Sequence, residues 1–176
     1  LKKYLKLTSI IIIVSLVIIS VALWKGLNSF VFAWVLNFML MTALLYITEI
    51  IQPKLISSYY NSKEWESNGQ FYKKLGVNYY RKLLVLIAWE KMNKSKSPVK
   101  KNLNTLKNLE YRTRQSEFGH LIIFIIVLLV NIFVIIKFGF IESIWLLVLN
   151  ILLNAYPIFV QRFNRPRIKR LIQLKI

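Results

Sequence analysis

The chain has 176 residues, 56% of them hydrophobic, and a formal net charge of +18. It contains no cysteine and no aspartate, and His120 is its single histidine. Disulfide scaffolds, thiolate metal sites, cysteine nucleophiles, two-histidine zinc motifs and Ser-His-Asp triads therefore cannot be built within one chain.

Four uncharged apolar runs organise the sequence: Leu7–Trp24, Leu27–Thr48, Leu121–Ile136 and Ile144–Val160. At 1.5 Å per residue, runs of roughly 16–22 residues cross all or most of a hydrocarbon layer about 30 Å thick. The expected fold is an all-α membrane protein, a single integral membrane domain over residues 1–176 with four transmembrane helices in two hairpins. Lys2, Lys3 and Lys6 precede the first run, and Ser20, Val21 and Ala22 resemble a cleavage site. The run is longer than the ~7–15 apolar residues of a secretory signal and a second run follows at once, so a retained first helix is expected.

Residues 49–119 are too many for a structureless loop, and a cytoplasmic helical segment is expected there. Within it, "WESNGQFYKKLGVNYYRK" mixes glycines with aromatics and has no clear period. The apolar run Leu83–Trp89 is too short to span and reads as an interfacial or core-docking helix. Residues 93–101, which include Pro98, read as an exposed turn or linker. Leu103, Leu106, Leu109 and Phe118 are spaced for a helix that lies along the membrane and runs into the third span. A basic tail, 161–176, closes the chain.

Of the 25 lysines and arginines, 23 lie before the first run, in the middle segment or after the fourth run; Lys25 and Lys137 occupy the two short connections. The positive-inside rule then places both termini and the middle segment in the cytoplasm. Attraction to anionic headgroups accounts for the basic excess, and no nucleic-acid partner is expected. The third and fourth runs, joined by a short turn near Gly139, should form an antiparallel hairpin that brings His120 and Arg162 to the same cytoplasmic boundary.

Few residues remain that can do chemistry. Glu117 and His120 are three apart and share a helical face, the arrangement of a carboxylate orienting an imidazole base. The same two residues also fit a polar pair that caps a membrane helix, or half of a carboxylate-bridged di-iron site, which would need a second copy of the motif. Arg162 and Arg165 project together if the fourth helix continues, at a spacing that suits a phosphate or a carboxylate. Pro166 should bend or end that helix, and Pro157 should loosen the ladder near Asn154 and leave a polar notch. A plain basic stop-transfer tail explains the arginines but not Gln161, Asn164 or the two prolines.

"NAYPIFVQRFNRPR" (154–167) together with "TRQSEFGH" (113–120) closely resembles the glycosyl-4,4′-diaponeurosporenoate acyltransferase family, small bacterial membrane proteins that acylate a sugar on a carotenoid. "WESNGQFY" (65–72) is similar to a third family pattern. Leu121 stands where the family has tryptophan, and Ser116 where alanine is common. The resemblance implies a multi-pass protein of the bacterial cytoplasmic (inner) membrane that moves a fatty acyl group to a hydroxyl of a lipid or glycosylated isoprenoid. It implies that His120 takes the hydroxyl proton while Glu117 orients it. Arg162 and Arg165 would hold a phosphate or the oxyanion and Asn164 would donate to it, with Gln161, Arg114 and Glu66 as further substrate-binding candidates. No metal and no bound cofactor is expected; acyl-CoA or acyl carrier protein would be the co-substrate. Expected partners are membrane lipids and a lipid or glycolipid acceptor, with a homo-oligomer or a membrane-complex partner left open. The rival reading is a non-catalytic scaffold or small subunit of a membrane complex that binds lipid.

Overall fold

The computed structural model describes residues 2–86 and 102–175, and among them it contains helices and turns but no strand. The helices are α1 (Lys2–Lys25), α2 (Phe30–Ile51), α3 (Gln70–Lys74), α4 (Val77–Leu86), α5 (Leu103–Phe138), α6 (Ile144–Asn150) and α7 (Tyr156–Gln173), with one π-helical turn at Ile151–Ala155. Four stretches are long and apolar enough to cross a membrane: α1, α2, α5 and the continuous segment Ile141–Gln173. The expected all-α membrane architecture is therefore present. Residues 93–101 and the end of the Leu83–Trp89 run lie outside the described residues.

The chain divides into two compact units, each made of two separate stretches. The first holds Leu1–Lys54 and Phe118–Ala155. Its core is Phe32, Ala33 and Leu36 of α2 against Ile123, Val127 and Val134 of α5 and Leu146 and Leu149 of α6. Ile18, Val21 and Ala22 of α1 pack on its edge, yet Val14 is the one buried residue of α1 and Leu23 is 84% exposed. A helix that is apolar all round and uncovered by protein needs lipid as its solvent.

Local signals set the helix ends. Ser29 caps α2 by accepting from the Phe32 N–H at 3.1 Å. At the other end Gln52 is left-handed and donates its N–H to the Thr48 carbonyl, and Pro53 prevents continuation. Asn28, between α1 and α2, donates to Glu142, between α5 and α6, at 2.7 Å. The two short connections thus lie at the same end of this unit, and its helices form two hairpins.

The second unit holds Leu55–Glu117 and Tyr156–Ile176. Its core joins Tyr72, Val77 and Phe163, with Phe159 and Val160 beside them. Ser67, Asn68 and Gly69 are successively left-handed, which reverses the chain ahead of α3. At Gly69, φ is +90° and a Cβ would stand 3.0 Å from the Phe163 carbonyl oxygen, so glycine is required both by conformation and by the closeness of the α7 backbone.

Two expectations about the fourth span meet different outcomes. Pro157 cannot donate the helical bond to the Leu153 carbonyl, and the ladder widens into the π-helical turn that contains Asn154, as anticipated. Pro166, by contrast, does not end the helix: α7 runs on to Gln173. Arg162, Phe163, Arg165 and Ile168 are all buried around it, and their packing offsets the lost bond.

Candidate functional site

The second unit contains a buried ion cluster built from Arg162 and Arg165 of α7, Glu117 of α5 and Glu66 of the turn ahead of α3. Arg162 and Arg165, three apart on α7, both reach Glu117 of α5: Arg162 Nε donates to Oε1 at 2.7 Å and Arg165 Nη2 donates to Oε2. Arg162 Nη1 also pairs with Glu66. Glu117 is 0% exposed and Glu66 2%. Two carboxylates and two guanidiniums balance in charge, which is the condition for leaving water.

The remaining capacity is met by the chain around them. Arg162 Nη2 donates to the Tyr59 carbonyl at 2.8 Å, and Arg165 Nη1 to that of Tyr60 at 3.2 Å. Arg165 Nε donates to Thr113 Oγ1 at 3.0 Å. The guanidiniums also lie over the rings of the same two tyrosines, at 4.6 and 5.6 Å from their centroids. Glu66 accepts from the Tyr72 hydroxyl at 2.7 Å and from the Lys63 N–H at 3.0 Å. Burial alone would push the Glu66 carboxyl up; the Lys63 N–H, Tyr72 and Arg162 together outweigh it and hold the group below the usual carboxylate range. For the Tyr72 phenol, burial and then the Glu66 carboxylate act in one direction, and its pKa is raised well above the ordinary value.

Other sequence candidates surround this cluster. Arg114 pairs with Glu110 at 2.6 Å, one turn earlier on α5, and donates to the Leu55 carbonyl at 3.0 Å. Gln161 donates to Ser116 at 3.2 Å. Asn164 is partly buried and lies outside the cluster's hydrogen bonds. A groove of about 380 Å³ opens alongside, walled by Tyr59, Trp65, Tyr72, Ile158 and Phe159, with Lys63 and Arg162 as its cations.

His120 belongs to the first unit and is partly buried. Its Nδ1 stands 3.3 Å from Asn154 Oδ1 in the π-helical turn. Asn154, 2% exposed, donates to Asn37 Oδ1 at 2.7 Å and to Asn150 Oδ1 at 2.9 Å. Those two asparagines donate in turn to backbone carbonyls, Asn37 to Ala33 at 2.8 Å and Asn150 to Phe124 at 3.0 Å. The Leu153 carbonyl, which Pro157 leaves without its helical donor, is a further hydrogen-bonding neighbour of the imidazole.

The expected pairing of Glu117 with His120 is thus replaced by two separate arrangements. Both Glu117 oxygens serve arginines, and the imidazole is held by an amide. Sequence reasoning named Glu66, Glu117, Arg162 and Arg165 but missed Tyr59, Tyr60, Tyr72 and Thr113, which complete their cluster. It also missed Asn37 and Asn150. A signal for those two existed, because an amide inside an uncharged span is costly unless it is partnered. Among the described residues, no group of three His, Cys, Asp or Glu side chains is placed to hold a metal ion.

The sequence model of one protein family, described as glycosyl-4,4′-diaponeurosporenoate acyltransferase, matches residues 57–174. That range contains every member of the ion cluster, His120, Asn150 and Asn154; Asn37 lies before it. No curated protein and no solved structure matches the chain.

Proposed function

The chain belongs to the glycosyl-4,4′-diaponeurosporenoate acyltransferase family, and from that premise we propose that it transfers a fatty acyl group to a hydroxyl of a lipid or glycosylated isoprenoid at the cytoplasmic face of a bacterial inner membrane. The observation that carries this reading is the matched region itself, which includes a solitary, partly buried imidazole held through Nδ1.

In the proposed step His120 accepts the proton of the acceptor hydroxyl as its oxygen attacks the thioester carbonyl of an acyl-CoA or acyl carrier protein. A C–O bond forms, the C–S bond breaks, and the imidazolium returns the proton to the departing thiolate. Asn154 takes over the orienting role that the sequence suggested for Glu117. Arg162 and Arg165 frame the second unit through Glu66 and Glu117, and Lys63 gives the aromatic groove of that unit a cation suited to an anionic group. The basic middle segment and tail support the cytoplasmic placement.

One observation favours the scaffold alternative: every nitrogen of the Arg162 and Arg165 guanidiniums already has a partner inside its own unit. The test that separates the two supplies a radiolabelled long-chain acyl-CoA to membranes with and without the chain and resolves the lipid extracts. An acylated lipid that depends on the chain, and that His120→Gln forms about 10²–10⁴-fold more slowly at unchanged abundance, is the expected result. If no acylated species depends on the chain, or His120→Gln forms it at full rate, the enzymatic reading fails.

A further inference from the structure

The hydrogen bonds behind His120 determine which of its nitrogens carries the proton. The Ala33 and Phe124 carbonyls can only accept, so the groups facing them must be the amide nitrogens of Asn37 and Asn150. That orients both Oδ1 atoms toward Asn154, at 2.7 and 2.9 Å, and requires its Nδ2 to face them. Both amide protons of Asn154 are then used, and its Oδ1 is what remains for the imidazole, 3.3 Å from Nδ1. An amide oxygen can only accept. Nδ1 must therefore donate, and in the neutral ring Nε2 is left with the lone pair.

We infer that Asn37, Asn150 and Asn154 form a relay that sets the tautomer of His120, with Asn154 as the positioning residue and the two backbone carbonyls as its fixed ends. The relay joins α2, α5, α6 and the π-helical turn within the first unit. No buried side-chain nitrogen or oxygen in the described structure is left without a hydrogen-bond partner, so the chain of donors has no slack at which an amide could flip. In surroundings that exclude water, reversing one amide places like poles together at two contacts, and each such contact leaves a buried polar group unpaired.

This inference deepens the proposed reaction and rests on it for its purpose. A base that takes a hydroxyl proton needs a lone pair on the nitrogen that the acceptor can reach. A ring free to exchange tautomers offers it only part of the time, whereas the relay keeps it on Nε2. Asn150 and Asn154 lie within the family match, but Asn37 comes from α2 outside it. The relay therefore gives the α1–α2 hairpin a function in the chemistry beyond anchoring.

Because the chain has one histidine, ¹⁵N-histidine labelling reports on this ring alone. Solid-state NMR of the full chain in phosphatidylglycerol–phosphatidylethanolamine liposomes, at a pH where the ring is neutral, should show a protonated Nδ1 and an unprotonated Nε2. Asn154→Leu should abolish the protonated Nδ1 signal, and Asn37→Leu, which frees Asn154 to reorient, should split it into two populations. The Leu153 carbonyl is a competing acceptor: if it drew its proton from Nε2, that nitrogen would appear protonated in the wild type. That spectrum, or an unchanged tautomer in both variants, overturns the relay. The wild-type spectrum decides even where a variant fails to fold. The base assignment is read separately, by acyl transfer in His120→Gln. A correct tautomer with an active His120→Gln would refute the base and leave the relay standing; a reversed tautomer with an inactive His120→Gln would do the opposite.

Discussion

Arg162 Nε donates to Glu117 Oε1 at 2.7 Å, across 45 positions of sequence, and Glu117 is entirely enclosed. The second carboxylate oxygen is held by Arg165, so one buried anion joins two cations of α7 to α5. Removing one partner of such a group leaves a buried charge uncompensated. Arg165→Ala should lower stability by about 3–5 kcal/mol, visible as a fall in thermal unfolding temperature in detergent and in abundance in the membrane. Arg167→Ala, which loses a stacking contact with Phe163 at an exposed position, should cost less than about 1 kcal/mol. Similar losses from the two substitutions would show that the cluster is not a main support of this unit.

Tyr72→Phe tests the second anion. It removes the 2.7 Å donor to Glu66 while keeping the ring that stacks on Phe159 at 5.5 Å. A hydrogen bond to a charged acceptor is worth about 1.5–3 kcal/mol, and the variant should be destabilised by that amount. In a double-mutant cycle with Glu66→Gln the two losses should be less than additive, because they share one contact. Full additivity would contradict the assignment.

Gly69→Ala should be among the more costly single substitutions in the turn between Lys63 and α3. The added methyl meets the Phe163 carbonyl oxygen at 3.0 Å in a left-handed conformation, and backbone cannot move aside as a side-chain tip can. Overpacking of this kind costs about 1–3 kcal/mol, and calorimetry of the purified protein measures it. Gly139 also has positive φ, but a Cβ there meets nothing within 4 Å. Gly139→Ala should therefore show strain alone and a smaller loss.

The second unit has opposite responses to acid and base. The Glu66 carboxyl lies below the ordinary range, so the stability it contributes is present above the ordinary carboxylate pKa and is lost as pH falls through its lowered value. Burial pushes the Tyr80 phenol up to about 12, beneath the stacked Tyr156 ring at 5.0 Å. Its contribution is complete below the ordinary phenol pKa near 10 and is lost as pH rises through about 12. Ultraviolet titration should show several phenols ionising late, with Tyr72 beyond Tyr80, and Tyr80→Phe should remove the step at about 12 while the later one remains. A Tyr80→Phe curve superimposable on the wild type would rule out this assignment.

Much of the architecture was legible because the bilayer acts on local properties. Run length, absence of charge and the Lys and Arg distribution are additive along the chain, and together they gave four spans, two hairpins and a helical middle segment. Pro157 and Asn154 announced a defect in the fourth span by the same local logic, since a missing N–H is a property of one residue. Pro166 does not end the helix because its penalty is local whereas the packing that overrides it is not: Arg162, Phe163, Arg165 and Ile168 of α7 are buried by other parts of the second unit.

The charged residues of the site were also legible as types at spacings, but not as pairs. Glu117 and His120 are neighbours on a helix surface by sequence, yet each is taken by something distant, Glu117 by arginines 45 and 48 positions away and His120 by an asparagine 34 away. Sequence alone fixed where the chain can enter a membrane, because transfer from water depends on what each segment carries. Only the folded structure decided which acceptor meets which donor, because hydrogen bonds are short and directional and depend on where distant segments come to rest.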